Sequence, residues 1–138
     1  MSRQYVLDAW ALLALLQGEE PAAARVRELL LAGGEQKARL LVSMINLGEV
    51  YYRIGKRGGR AVAAETLAKI RRLPLTVVSA SDEMIIAAAD FKMEYAISYA
   101  DAFAAALADR TGATLVSGDP DFDQLQGRIG LEKLYRSK

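Results

Sequence analysis

Four acidic residues stand where a carboxylate could do chemistry: Asp8, Glu49, Asp101 and Asp119. Asp8 ends the short apolar run Tyr5-Val6-Leu7 and precedes an Ala/Leu-rich stretch. Asp101 opens a run of small residues, and Asp119 follows Leu115-Val116-Ser117-Gly118. Each has an ordinary explanation. Asp is a favoured N-cap, Asn46-x-x-Glu49 and Ser98-x-x-Asp101 have the spacing of capping boxes, although Asn46 is expected to lie inside its helix, and Asp before Pro120 is common turn chemistry. Taken together they share a second property, because Asp8, Asp101 and Asp119 fall at strand ends or helix starts. In parallel α/β folds, ligands bind outside the carboxyl ends of the strands. Glu49, about two turns into its helix, has the longer side chain needed to reach the same crevice. Carboxylates crowded in one place repel, and some protonate unless a cation sits between them. A divalent ion relieves that conflict, lowers the pKa of bound water and stabilises charge on a phosphoryl oxygen. The substrate that best fits such a site is a phosphodiester, with water as nucleophile and a carboxylate as its base.

Composition narrows the chemistry further. The chain has no histidine and no cysteine, which excludes Ser-His-Asp hydrolysis, thiol nucleophiles and the usual zinc sites. Any metal is held by oxygen, so the hard cations Mg²⁺ or Mn²⁺ are expected. Net charge is +1, so the molecule as a whole does not attract nucleic acid. The local distribution differs. No acid occurs between Glu49 and Glu65, while Arg53, Lys56, Arg57 and Arg60 do, and Lys69, Arg71 and Arg72 follow. Such clusters are solvated helix faces about as often as they are binding surfaces.

The elements that must position these residues can be read from periodicity and punctuation. With 138 residues, 52% of them hydrophobic, residues 1–138 are expected to form a single domain with a sizeable core. Strands are expected at 4–7, 39–42, 75–78 and 113–116, with a last one near 131–135. Helices are expected at 9–17, 21–32, after Ser43, at 60–72, 81–93 and behind Asp101. Gly18, Gly33-Gly34, Gly55, Gly58-Gly59 and Gly112 are expected to end or break helices, and residues 117–122 to form a turn. The order β-α-α-β-α-α-β-α-α-β-β argues for a three-layer α/β/α sandwich around a mostly parallel sheet of four to five strands. Apolar runs are too short or too broken by charge to span a bilayer. The opening Met-Ser-Arg-Gln lacks the apolar stretch of a signal peptide, so a cytoplasmic protein without membrane partners is expected.

At this point the chain resembles a known family, the PIN domains, in particular the small prokaryotic VapC-type toxin ribonucleases. The likeness rests on Tyr5-Val6-Leu7-Asp8-Ala9, on Val42-Ser43-Met44-Ile45-Asn46-Leu47-Gly48-Glu49-Val50, on Ser98-Tyr99-Ala100-Asp101-Ala102, and on Leu115-Val116-Ser117-Gly118-Asp119-Pro120-Asp121-Phe122. It covers essentially the whole chain, and the last segment is the most specific. The resemblance implies a PIN-like fold and a metal-dependent endoribonuclease, the toxin of a VapBC-type toxin–antitoxin pair. It implies that Asp8, Glu49, Asp101 and Asp119 form the family's acidic quartet around one or two Mg²⁺ or Mn²⁺ ions. Asp121 matches an additional acid of some members, and Ser117 a Ser/Thr that orders the site. Gly48 stands where the family commonly has Ala, a change that costs a helix up to about 1 kcal/mol.

The same resemblance implies partners: an RNA substrate, a second copy of the chain in a homodimer, and a cognate VapB-type antitoxin whose C-terminal segment lies in an apolar groove. Candidate groove walls are Trp10, Leu13 and Leu16, with Tyr51, Tyr52 and Ile54. Arg53, four residues after Glu49, shares its helix face and is expected either to contact an RNA phosphate or to pair with Glu49; Lys56 and Arg57 are the neighbouring candidates for substrate contact. Two other readings stay open, a PIN nuclease of RNA processing without an antitoxin, and a non-catalytic binding module whose acids are only caps.

Overall fold

The computed structural model describes residues 3–137. Five strands form one sheet: β1 (Arg3–Leu7), β2 (Ala38–Ser43), β3 (Thr76–Val78), β4 (Thr114–Ser117) and β5 (Leu131–Lys133). Their order is β3-β2-β1-β4-β5, and every pairing is parallel. Six helices cover it: α1 (Ala9–Leu16), α2 (Ala22–Gly34), α3 (Met44–Gly58), α4 (Arg60–Arg71), α5 (Asp82–Glu94) and α6 (Tyr99–Thr111). No helix among the described residues is long and apolar enough to cross a membrane.

The central strands are apolar on both faces because both faces are covered, and successive side chains serve different cores. Tyr5, Leu7, Leu40, Val42 and Val116 join the core under α1 to α4, with Leu12, Leu30, Leu47 and Ile70. Val6, Leu41 and Leu115 point the other way, into the core with Phe91, Phe103, Leu107 and Phe122. Helix α6 is buried at every position from Ala102 to Ala108; its alanines let it lie close against the sheet.

The expected elements are present, with three differences in detail. Gly55 does not break α3, which runs on to Gly58. A Cβ at Gly55 would stand 3.4 Å from the Ala63 methyl, so the glycine sits where α4 packs. The break comes at Gly59, whose φ of +92° suits a residue without Cβ. Gly33 and Gly34 are the last residues of α2 and do not lie beyond it. The expected turn after β4 continues into a 3₁₀ helix, Pro120–Leu125.

Candidate active site

Sheet register brings the first two site residues together. Leu7 pairs with Val116, so Asp8 and Ser117 leave adjacent strands side by side. The Ser117 hydroxyl donates to Asp8 Oδ2. Asp8 Oδ1 accepts from the Ala11 amide at 2.9 Å, capping α1. The Asp119 amide donates to Ser117 Oγ at 3.0 Å, and the Asp121 amide donates to Asp119 Oδ1 at 2.9 Å, which starts the 3₁₀ helix. One serine therefore ties the end of β1 to the acidic turn after β4.

The other two acids arrive on helices. Ser98 caps α6 by accepting from the Asp101 amide at 3.1 Å, which sets Asp101 in the first turn, where the helix dipole favours negative charge. Ser43 caps α3, so Asn46 is interior and not a cap. Its side chain is fully buried. Asn46 Nδ2 donates to the Ala100 carbonyl at 3.0 Å, holding α3 against the start of α6 one turn before Glu49, while its Oδ1 is buried without a protein partner. The interior position of Asn46 was expected, but not its contact with α6; the sequence signal available for that role was a polar residue on the apolar face of a helix.

Asp8, Glu49, Asp101 and Asp119 all line one cavity of about 450 Å³, together with Arg53, Lys56 and Arg57. Oxygens of Asp101, Asp119 and Asp121 lie within 4.8 Å of one another, close enough for one cation to be shared. Asp8 is behind them and already engaged through both oxygens. Burial pushes the Asp8 carboxyl up to about 7, against the pull of its hydrogen bonds and helped by the charges of Asp101 and Asp119. Burial, then Asp119, Glu49 and Asp121, push Asp101 up to about 6. Burial, with mutual repulsion added to it, thus disfavours the ionised acids more than their hydrogen bonds relieve. An oxygen-only donor set under that stress fits a hard divalent cation.

The cavity wall holds the rest. Arg53 Nε lies 3.0 Å from Glu49 Oε2, the intrahelical pair that was one of its two expected roles. Trp10 and Leu13 line the cavity, while Leu16, Tyr51, Tyr52 and Ile54 do not. Sequence reasoning missed Glu19 and Arg136, which also line it. Nothing local in the C-terminal segment marks Arg136. It is placed by a bridge to Pro21 and by an ion pair with Glu19 at 3.2 Å.

Residues 5–128 match the PIN domain family. The chain belongs to it. Among curated proteins no sequence matches it significantly. Solved structures with the same fold include VapBC2 from Rickettsia felis bound to a DNA fragment from its promoter (TM-score 0.73, 18% identity, covering 94% of this chain and 98% of that one). DNA-bound VapBC from Salmonella typhimurium is similar at TM-score 0.72 and 19% identity, over 96% and 98% of the two chains. VapC20 of Mycobacterium tuberculosis, a sarcin-ricin loop cleaving toxin, aligns at TM-score 0.68 and 18% identity, over 87% and 93%. In this PIN domain the acidic cluster occupies the carboxyl ends of β1 and β4, the start of α6 and the second turn of α3, beside the place where open parallel sheets bind ligands.

Proposed function

We propose that this PIN domain is a metal-dependent endoribonuclease of the cytoplasm and the toxin of a VapBC-type pair. The observation that carries the reading is the convergence of Asp8, Glu49, Asp101 and Asp119 on one cavity, with Asp121 beside them. Asp101, Asp119 and Asp121 hold Mg²⁺ or Mn²⁺, with Glu49 and Asp8 completing the negative field. Bound there, the ion supplies a more acidic water and a counter-charge for the phosphoryl oxygens. Ser117 fixes the orientation of Asp8 and of the Asp119 turn. A carboxylate of the cluster accepts the proton of the attacking water, since the chain offers neither imidazole nor thiol for it. Arg53, Lys56 and Arg57 line the same cavity and meet the phosphates flanking the cut.

Partners follow from the same reading: a VapB-type antitoxin that covers the cavity, and a second copy of the chain in a homodimer. The fold neighbours include VapBC structures, which supports the antitoxin. The test is cleavage of total cellular RNA by purified, antitoxin-free protein, with Mg²⁺ or Mn²⁺ and with EDTA, beside Asp101→Asn. Discrete fragments that need the metal, reduced about a thousandfold or more in the variant, are expected. No cleavage by folded protein, with metal binding unchanged in Asp101→Asn, would remove the nuclease and leave the acids as caps.

A further inference from the structure

Trp10 is the single tryptophan of the chain, and it is half-buried in the wall of the acidic cavity. Its indole lies against the backbone of Gly118, where any added Cβ would overlap the ring carbons. The turn that carries Asp119 therefore forgoes a side chain at 118 to seat this ring. The Arg136 guanidinium lies over the indole, 5.2 Å from the ring centroid, and is held there by Glu19. Filling a core does not require that arrangement. It is an aromatic surface at a cavity wall, covered by a flat cation that attracts its π-face.

We propose that Trp10 is a stacking platform for a nucleobase of the bound RNA, and that Arg136 is its removable cover. The inference rests on the ribonuclease reading and deepens it, naming single-stranded RNA with an unstacked base beside the cut as the substrate class. Single-stranded RNA is held by aromatic surfaces for the bases and cations for the backbone. Both are present: Arg53, Lys56, Arg57 and Arg136 line the cavity that Trp10 walls, so phosphates on either side of a stacked base meet positive charge. The cover is cheap to displace. Arg136 and Glu19 are substantially exposed, with side chains 51% and 30% accessible, and ion pairs of that kind contribute little. A base that takes the ring leaves Arg136 free to follow the backbone phosphate. Arg53 and Arg136 are paired with Glu49 and Glu19, whereas Lys56 and Arg57, in the same cavity, form no ion pair among the described residues; with the cation neutralising the acids of the floor, these side chains are what an RNA backbone beside the ring would meet.

The lone tryptophan makes the test direct. In the Asp101→Asn background, which keeps RNA intact, a short mixed-sequence single-stranded oligoribonucleotide is titrated and indole fluorescence followed, with inorganic polyphosphate as the anion control. Saturable quenching by RNA and none by polyphosphate is expected. Binding of labelled RNA, read by anisotropy, then compares Trp10→Phe with Trp10→Leu, both checked for an unchanged melting temperature. Leu fills space but cannot stack, so it should weaken binding about tenfold while Phe retains most of the affinity. If wild-type protein cleaves RNA but the indole is not quenched, or Leu binds as well as Phe, the platform is overturned and the ring belongs to packing or to a protein segment. If no variant binds RNA and the wild type does not cleave it, the ribonuclease reading falls and the platform with it.

Discussion

On the floor of the cavity Asp8 is buried and held through both oxygens, by Ser117 and by the first turn of α1. On the wall, Arg53 and Arg136 are exposed, and each pairs with one neighbouring carboxylate. Of the floor residues, Asp8 sits at a strand end fixed by sheet register and Asp101 in the capped first turn of α6, and both have carboxyls pushed up by burial and mutual repulsion. Wall residues sit on a helix face and a C-terminal segment, paired loosely and close to solvent. The difference matches two demands on a nuclease. A cation needs preset, mutually repelling ligands that cannot move apart. A flexible polymer needs side chains that rearrange at little cost. Strain is therefore concentrated where rigidity is useful and is nearly absent where motion is.

The comparison breaks most visibly if the floor is not under electrostatic stress. Asp8 has an ordinary value of 3.8 and is pushed to about 7 in the fold, so between those values the folded state holds a proton that the unfolded chain has released. The contribution of Asp8 to stability is full below about 3.8 and is lost as pH rises through about 7. Without metal, the protein is therefore expected to lose on the order of a few kcal/mol relative to Asp8→Asn between pH 4 and pH 8. Urea unfolding of both proteins in EDTA across that range measures the difference; parallel curves would show that the carboxylate sits there without penalty. Mg²⁺ or Mn²⁺ should raise the melting temperature more at pH 8 than at pH 5, because the ion binds the ionised cluster.

A second way to sharpen the contrast is to loosen the floor while leaving every acid in place. Ser117→Ala removes the donor to Asp8 and the acceptor of the Asp119 amide. Leaving buried groups unpaired costs about 1–3 kcal/mol, and losing an orienting partner lowers activity about 10–100-fold. The expected signature is a lower kcat with RNA affinity little changed, read from single-turnover cleavage. An active variant of wild-type stability would mean that the acids are positioned by their own elements alone.

The same division explains what the sequence disclosed. Short continuous apolar runs made β1, β2 and β4 legible, because both faces of these strands are buried, and Ser43 and Ser98 marked two helix starts at the positions observed. That Asp8, Asp101 and Asp119 share a cavity was legible because strand ends and helix starts are local features that parallel register gathers, and Glu49 followed from helix pitch. Gly55 was misread because its reason is contact with Ala63 on another helix. Asn46 was placed inside its helix, but its role was not found because its partner, the Ala100 carbonyl, is 54 residues away. Arg136 was not found at all, since it enters the wall only through Pro21 and Glu19. What was illegible is what depends on a partner in another element.

The smallest expected effect tests the wall itself. Glu49 and Arg53 form an i,i+4 pair, with the Arg53 side chain 56% accessible, and such pairs stabilise a helix by only about 0.3–0.5 kcal/mol. Arg53→Ala should therefore barely move the urea midpoint. Its effect should appear in RNA binding, where a side chain that meets one phosphate releases one counterion. The slope of log affinity against log salt should become shallower by about 0.7, with a severalfold loss of affinity at low salt that fades as salt rises. A parallel salt plot with unchanged affinity would confine Arg53 to its helix and reduce the mobile part of the wall to Lys56, Arg57 and Arg136. A shallower slope would make the Glu49 pair a resting state that RNA exchanges for its own phosphate.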